Sequence, residues 1–138
     1  MKTLTLIDES YNASPAAMHA ALRVLAGISP ATDARRVAVF GDMLELGEAT
    51  ERLHRELAMP LAAAGVDRVF LVGNAVSALY DALPKPKRGG LWPTADDAID
   101  ALVRFLRAGD VVTVKGSRGV GLDRVVERLR AEAARRET

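Results

Sequence analysis

The sequence predicts an α/β fold: a three-layer αβα sandwich around a mostly parallel sheet of five to six strands. Three observations predict it. Short β-branched runs alternate with stretches of helical periodicity about five times along the 138 residues, and that order calls for parallel strands joined by right-handed crossovers. The strand-like runs are near-continuous and apolar, which suits burial on both faces of a sheet. Finally, three polar clusters each follow a strand-like run and precede a helical stretch: residues 8–15 (Asp-Glu-Ser-Tyr-Asn-Ala-Ser-Pro), 41–47 (Gly-Asp-Met-Leu-Glu-Leu-Gly) and 115–119 (Lys-Gly-Ser-Arg-Gly). A parallel sheet puts all three on one edge, outside the carboxyl ends of the strands, where such folds bind ligands.

Residues 3–7 read as the first strand. Ser14-Pro15 opens the first helix, since a serine at the N-cap accepts a backbone hydrogen bond and proline is tolerated at the first helical position. Met18, Ala21, Leu22 and Leu25 recur at helical spacing, and Gly27 ends the helix. Residues 29–35 form a polar loop, and 36–40 a second strand. Residues 50–64 are predicted helical, with Leu53, Leu57, Leu61 and Ala64 on the apolar face and a kink or register change at Pro60. Residues 68–72 form a third strand, followed by Gly73-Asn74 and a short helix through Leu83. Residues 84–90 read as a loop inside one domain, with strand-like Leu91-Trp92 after it. Thr94-Ala95-Asp96-Asp97 has the acidic first turn of a helix N-terminus, and that helix continues to Gly109. Residues 111–114 are the last clear strand. Residues 122–134 are the last helix, with Val125, Val126 and Leu129 inward, and the charged tail 135–138 is expected to fray.

One domain of this length buries roughly two-thirds of the unfolded chain's surface, so it needs no disulfide or metal staple. Nineteen basic residues against eighteen acidic ones leave a net charge of +1, which argues against nucleic acid as a partner. The chain has no cysteine. That excludes thiol catalysis and a cysteine metal site, and it fits a reducing compartment. No run of about 18 apolar residues is present, so no membrane span is expected. The N-terminal run is too short for a signal peptide, and a cytoplasmic, monomeric protein is expected.

The third cluster is a glycine-flanked turn between a strand and a helix. Backbone N–H groups there favour an anion; Ser117 adds a hydroxyl, and Lys115 and Arg118 add charge. A carboxylate or phosphate is the natural ligand; the alternative is a glycine turn with a surface lysine. It is not a P-loop, because the lysine precedes the glycines. In the first cluster Asp8 and Glu9 are carboxylates suited to ribose hydroxyls; otherwise Asp8 or Ser10 caps a turn and Tyr11 packs. In the second, Asp42 and Glu45 could orient a cationic amine or a basic partner residue; otherwise Met43, Leu44 and Leu46 cover the core, which is the simpler reading on chemistry alone. His19 and His54 each lie in a helix without ligand spacing beside them, so no metal is assigned. There is no G-x-S-x-G motif and no nucleophile–base pair, and no catalytic residue is assigned within the domain.

Taken together, the clusters resemble the C-terminal domain of the Mur ligases. That family shows a D-D-S-Y-N-A-N-P-like segment (here 8–15), a G-D-M-x-E-L-G segment (41–47), a following H-R-E (His54-Arg55-Glu56) and a V-K-G-S-R-G segment (114–119). All four agree in order and spacing, across nearly the whole chain. The resemblance implies a Rossmann-like domain, the C-terminal acceptor-binding part of a three-domain ligase, closing over a central ATPase domain. The complete enzyme of this type activates the carboxylate of a UDP-N-acetylmuramoyl-tripeptide as an acyl phosphate, and the amine of D-alanyl-D-alanine then attacks. The resemblance implies ATP and Mg²⁺ as cofactors, with the metal held mainly by the central domain. It places Asp8 or Glu9 near the ribose, Tyr11 and Asn12 at the nucleotide and domain interface, Lys115, Ser117 and Arg118 around the dipeptide carboxylate, and Asp42 and Glu45 on the amine side.

The chain departs from the family pattern at Glu9 and Ser14, where the family has aspartate and asparagine, and at Val120-Gly121-Leu122-Asp123, where it usually has M-x-M-E. It also has no P-loop, so the 138 residues alone are expected not to turn over. Two other functions fit the pattern less fully. One is a free-standing nucleotide- or acyl-binding regulatory module. The other is a folylpolyglutamate synthase-type ligase domain, against which Tyr11-Asn12-Ala13 and Gly41-Asp42-Met43 argue.

Overall fold

The strand-like runs become five strands in the computed structural model, which describes residues 4–9, 13–30 and 33–137. They are β1 (Thr5–Glu9), β2 (Arg36–Gly41), β3 (Arg68–Val72), β4 (Arg88–Trp92) and β5 (Val111–Lys115). The described residues also form six α-helices, the last of them after β5: α1 (Pro15–Ala26), α2 (Thr50–Arg55), α3 (Ala58–Ala63), α4 (Ser77–Ala82), α5 (Ala95–Phe105) and α6 (Leu122–Glu137). The sheet order is β1-β5-β2-β3-β4, and all neighbouring pairs are parallel.

Because successive strand residues face opposite sides, the sheet carries two apolar layers. On one side Met18, Leu22 and Leu25 of α1, with Leu57, Leu61 and Leu79, cover Ala38, Phe40 and Leu71. On the other, Ala98 and Leu102 of α5 and Val125, Val126 and Leu129 of α6 cover Val37, Val39, Val112 and Val114. Burying each large aliphatic side chain contributes about 1.5–3 kcal/mol. β5, the last strand in sequence, lies between β1 and β2 and is buried at every position. Glu9, Lys115 and Phe40 therefore share one row near the carboxyl edge. None of the described helices is long and apolar enough to cross a membrane.

The helix caps form as expected: Ser14 Oγ accepts from Ala17 N at 3.1 Å, and Thr94 Oγ1 accepts from Asp97 N at 3.4 Å. Five boundaries differ from expectation. β1 runs from residue 5 to residue 9, so Asp8 and Glu9 end a strand, paired with Val114 and Lys115, where a loop is expected. The interruption expected at Pro60 in the 50–64 helix falls earlier, at Glu56-Leu57, between two helices, because Pro60 has no N–H for the carbonyl four residues back. β4 starts at Arg88 and includes Gly89 and Gly90. A Cβ at Gly89 would stand 2.8 Å from the Phe70 ring, and one at Gly90 2.2 Å from Trp92; these two rings stack at 6.0 Å. The helix expected to reach Gly109 stops at Phe105, whose carbonyl accepts from Arg35 Nη2 at 2.6 Å. Finally, the expected fraying tail continues α6 to Glu137, with Arg135 paired to Glu132.

Candidate functional site

The second and third clusters interlock. A Cβ at Gly116 would stand 3.0 Å from Gly41 Cα and 2.6 Å from Leu122 Cδ1, so only glycine lets the ends of β2 and β5 lie this close. Beyond them, Ser117 N donates to Asp42 O at 3.0 Å, and Leu44 N donates to Ser117 Oγ at 3.0 Å. Ser117 Oγ thus accepts a bond within the protein, and its hydroxyl can still act as a donor. The cost is that the Ser117 N–H, expected to face a ligand, is used internally.

Asp42 ties in a third loop. Its Oδ2 accepts from Asn74 N at 3.0 Å and its Oδ1 from Val76 N at 2.9 Å, so the carboxylate satisfies the amides that lead into α4. Gly73 (φ +128°) makes room: a Cβ there would stand 2.5 Å from Asp42 Oδ1. Next in the loop, Met43 is buried, and its N–H donates to His54 Nε2 at 2.9 Å. Leu44 is exposed, so of the three apolar residues in this loop only Met43 and Leu46 pack against the core. Glu45 is exposed at φ +63°, a left-handed conformation that non-glycine residues rarely hold.

Lys115 is 4% exposed, which rules out the surface-lysine alternative. Asp8 is half-buried, with Arg130 Nη2 3.5 Å from its Oδ2. Glu9 ends β1 opposite Lys115. Tyr11 and Asn12 lie outside the described residues. Arg118 opens a short 3-10 turn, Arg118–Val120, before α6 begins. The fold therefore brings Asp42 and Ser117 into direct contact and sets Lys115 one residue before the Gly116–Gly41 junction. Asp8 stands two strands from Phe40, on the far side of β5.

Beside this junction lies a cleft of about 460 Å³ whose walls include Asp42, Leu44, Asn74, Thr94 and Arg124. Arg124 Nε donates to Asp96 Oδ1 at 3.0 Å. Sequence reasoning missed Asn74, Thr94 and Arg124 as wall residues. Asn74 follows a strand at the same sheet edge, which could have flagged it. Thr94 is legible only as a cap, and nothing local marks Arg124.

Comparison with known proteins relates the chain to the Mur ligases. The family model described as "Mur ligase, glutamate ligase domain" matches residues 2–118. A curated UDP-N-acetylmuramoyl-tripeptide–D-alanyl-D-alanine ligase from Rickettsia prowazekii is 36% identical over 122 residues, covering 88% of this chain and 26% of that protein. The Bacillus subtilis protein of the same name is 30% identical over 129 residues, covering 91% of this chain and 28% of its own. The crystal structure of a MurF ligase from Thermotoga maritima in complex with ADP superposes with a TM-score of 0.81 at 28% identity, over 98% of this chain and 30% of that one. A MurF from Acinetobacter baumannii gives a TM-score of 0.80 at 27% identity, over 94% and 28%. The chain spans less than a third of the length of each of these relatives.

Proposed function

The chain belongs to the Mur ligase family through its glutamate ligase domain, and on that premise we propose that it is the C-terminal domain of an ATP-dependent ligase. The enzyme joins D-alanyl-D-alanine to UDP-N-acetylmuramoyl-tripeptide during peptidoglycan precursor synthesis. It works in the cytoplasm, as a monomer. The observation that carries this reading is the joined Asp42 and Ser117 loops beside the buried Lys115, at the carboxyl ends of β2 and β5.

In this reading the tripeptide carboxylate takes a phosphoryl group from ATP. The dipeptide amine attacks the carbonyl carbon, phosphate leaves, and the nitrogen loses a proton. This domain contributes alignment and water exclusion as it closes on the others. Lys115, Ser117 and Arg118 hold the dipeptide carboxylate; burial of Lys115 strengthens that attraction, because a low dielectric screens charge less. Asp42 and Glu45 stand on the amine side. Asp42 acts there mainly by shaping the loops, since both its oxygens already accept backbone bonds. Asp8, Glu9, Tyr11 and Asn12 are the residues proposed to serve the nucleotide, and a half-buried carboxylate near the end of β1, such as Asp8, suits a ribose hydroxyl. Among the described residues no group of three His, Asp or Glu side chains is placed to hold a metal ion.

The test is ligation by the product of the complete reading frame. With ATP, Mg²⁺, UDP-N-acetylmuramoyl-tripeptide and D-alanyl-D-alanine it should release ADP and phosphate in step with a new amide, and omitting the dipeptide should stop amide formation. A complete frame no longer than this chain, or a full-length protein that makes no amide, overturns the proposal. So does turnover by the 138-residue chain alone.

A further inference from the structure

Resting on the ligase reading above, we propose that His54 is a positioning residue for acceptor binding: its imidazole locks the 42–47 loop onto the Ser117 turn. His54 is wholly buried in α2. Its Nδ1 lies 2.7 Å from Thr50 O, one turn back on the same helix. Its Nε2 lies 2.9 Å from Met43 N. A carbonyl only accepts and a backbone N–H only donates, so these partners require a neutral ring with its proton on Nδ1. The helix thus fixes both the orientation and the tautomer of the ring, and the remaining nitrogen is aimed at the loop.

The consequence runs through neighbouring residues. Met43 itself is buried, so its N–H would be left without water if the ring nitrogen were lost. On one side of it, Asp42 holds the β3 loop through Asn74 N and Val76 N. On the other, Leu44 N holds Ser117 Oγ. Three consecutive residues are therefore anchored to three different elements, and the next, Glu45, sits in the left-handed region. Such a conformation persists only where the surroundings over-determine it. A phenylalanine at position 54 would fill comparable space but supply no acceptor, so a packing role and a positioning role separate experimentally.

The tests use wild type, His54→Phe and His54→Gln, whose side-chain carbonyl can accept from Met43 N–H. In the 138-residue chain, nitrogen NMR of wild type should show the proton on Nδ1 and a coupling from Met43 N–H to Nε2. The Met43 and Leu44 amides should exchange at least about tenfold faster in His54→Phe, with the Val39 amide unchanged. In the full-length ligase, His54→Phe should raise the dipeptide KM by about tenfold while the ATP KM stays within about twofold, and His54→Gln should recover most of the loss. A proton on Nε2 in wild type, unchanged exchange at Met43 and Leu44, or both KM values rising together would each overturn the proposal, as would failure of His54→Gln to recover. If the wild-type ligase makes no amide, the ligase reading falls, whereas the lock itself is judged by the NMR of the chain.

Discussion

Replacing Asp110 with alanine should cost this fold about 3 kcal/mol. Asp110 is wholly buried at the amino end of β5. Its oxygens accept from Arg35 N at 2.9 Å, Arg35 Nε at 3.3 Å, Arg35 Nη2 at 2.8 Å and Arg107 N at 3.1 Å. Breaking such a pair from one side costs about 3–5 kcal/mol, because the other charge stays desolvated. The lower end applies here. The Arg35 side chain is 19% exposed, keeps its bond to Phe105 O, and stacks 3.8 Å from the Phe105 ring centre. With a urea m-value of about 1.5 kcal/mol/M, the unfolding midpoint should fall by about 2 M, and Tm by about 10 °C. The double variant Arg35→Met/Asp110→Leu should lose clearly less than the sum of its single variants, since no charge is then stranded. The pair lies at the opposite end of the strands from the site, so the dipeptide KM should not move. A single-variant loss below about 1 kcal/mol, or strict additivity in the double variant, would refute the reasoning.

In the full-length enzyme, Lys115→Ala should raise the dipeptide KM at least about tenfold with little change for the tripeptide; Lys115→Met, which keeps the stem, should do the same if charge is what matters. Unchanged dipeptide kinetics would remove Lys115 from the site. Gly73→Ala should cost about 2 kcal/mol in urea unfolding, because the new Cβ meets the Asp42 carboxylate at φ +128°, and it should also weaken the dipeptide. Calorimetry on the 138-residue chain should find dipeptide and ATP binding of about 1 mM or weaker, since the proposed ligase reading gives this domain only part of each pocket.

Local signals carried much of the architecture. Ser14-Pro15 and Thr94 were legible as helix starts because a cap involves residues three apart, and Pro60 as a break because the missing N–H is its own. Gly89-Gly90 was not legible as strand: those glycines answer to the Phe70 and Trp92 rings, about 20 residues away in one case. The extension of β1 through Asp8 and Glu9 depends on pairing with β5, more than 100 residues later. The site divides the same way. Lys115, Ser117 and Asp42 could be picked from the motifs, but that Asp42 caps the β3 loop and that Ser117 bonds Leu44 depends on loops brought together from three strands.

By itself, the order of apolar runs and turn residues determined that strands would be parallel and that the polar clusters would leave one edge, because side-chain period and crossover handedness are local physics. Only the tertiary structure decided that β5 inserts between β1 and β2, that Lys115 is buried, and that His54 and Asp42 spend their acceptors on backbone amides of the site loops. Those outcomes depend on which distant groups lose their water together, and no window of the chain contains both partners.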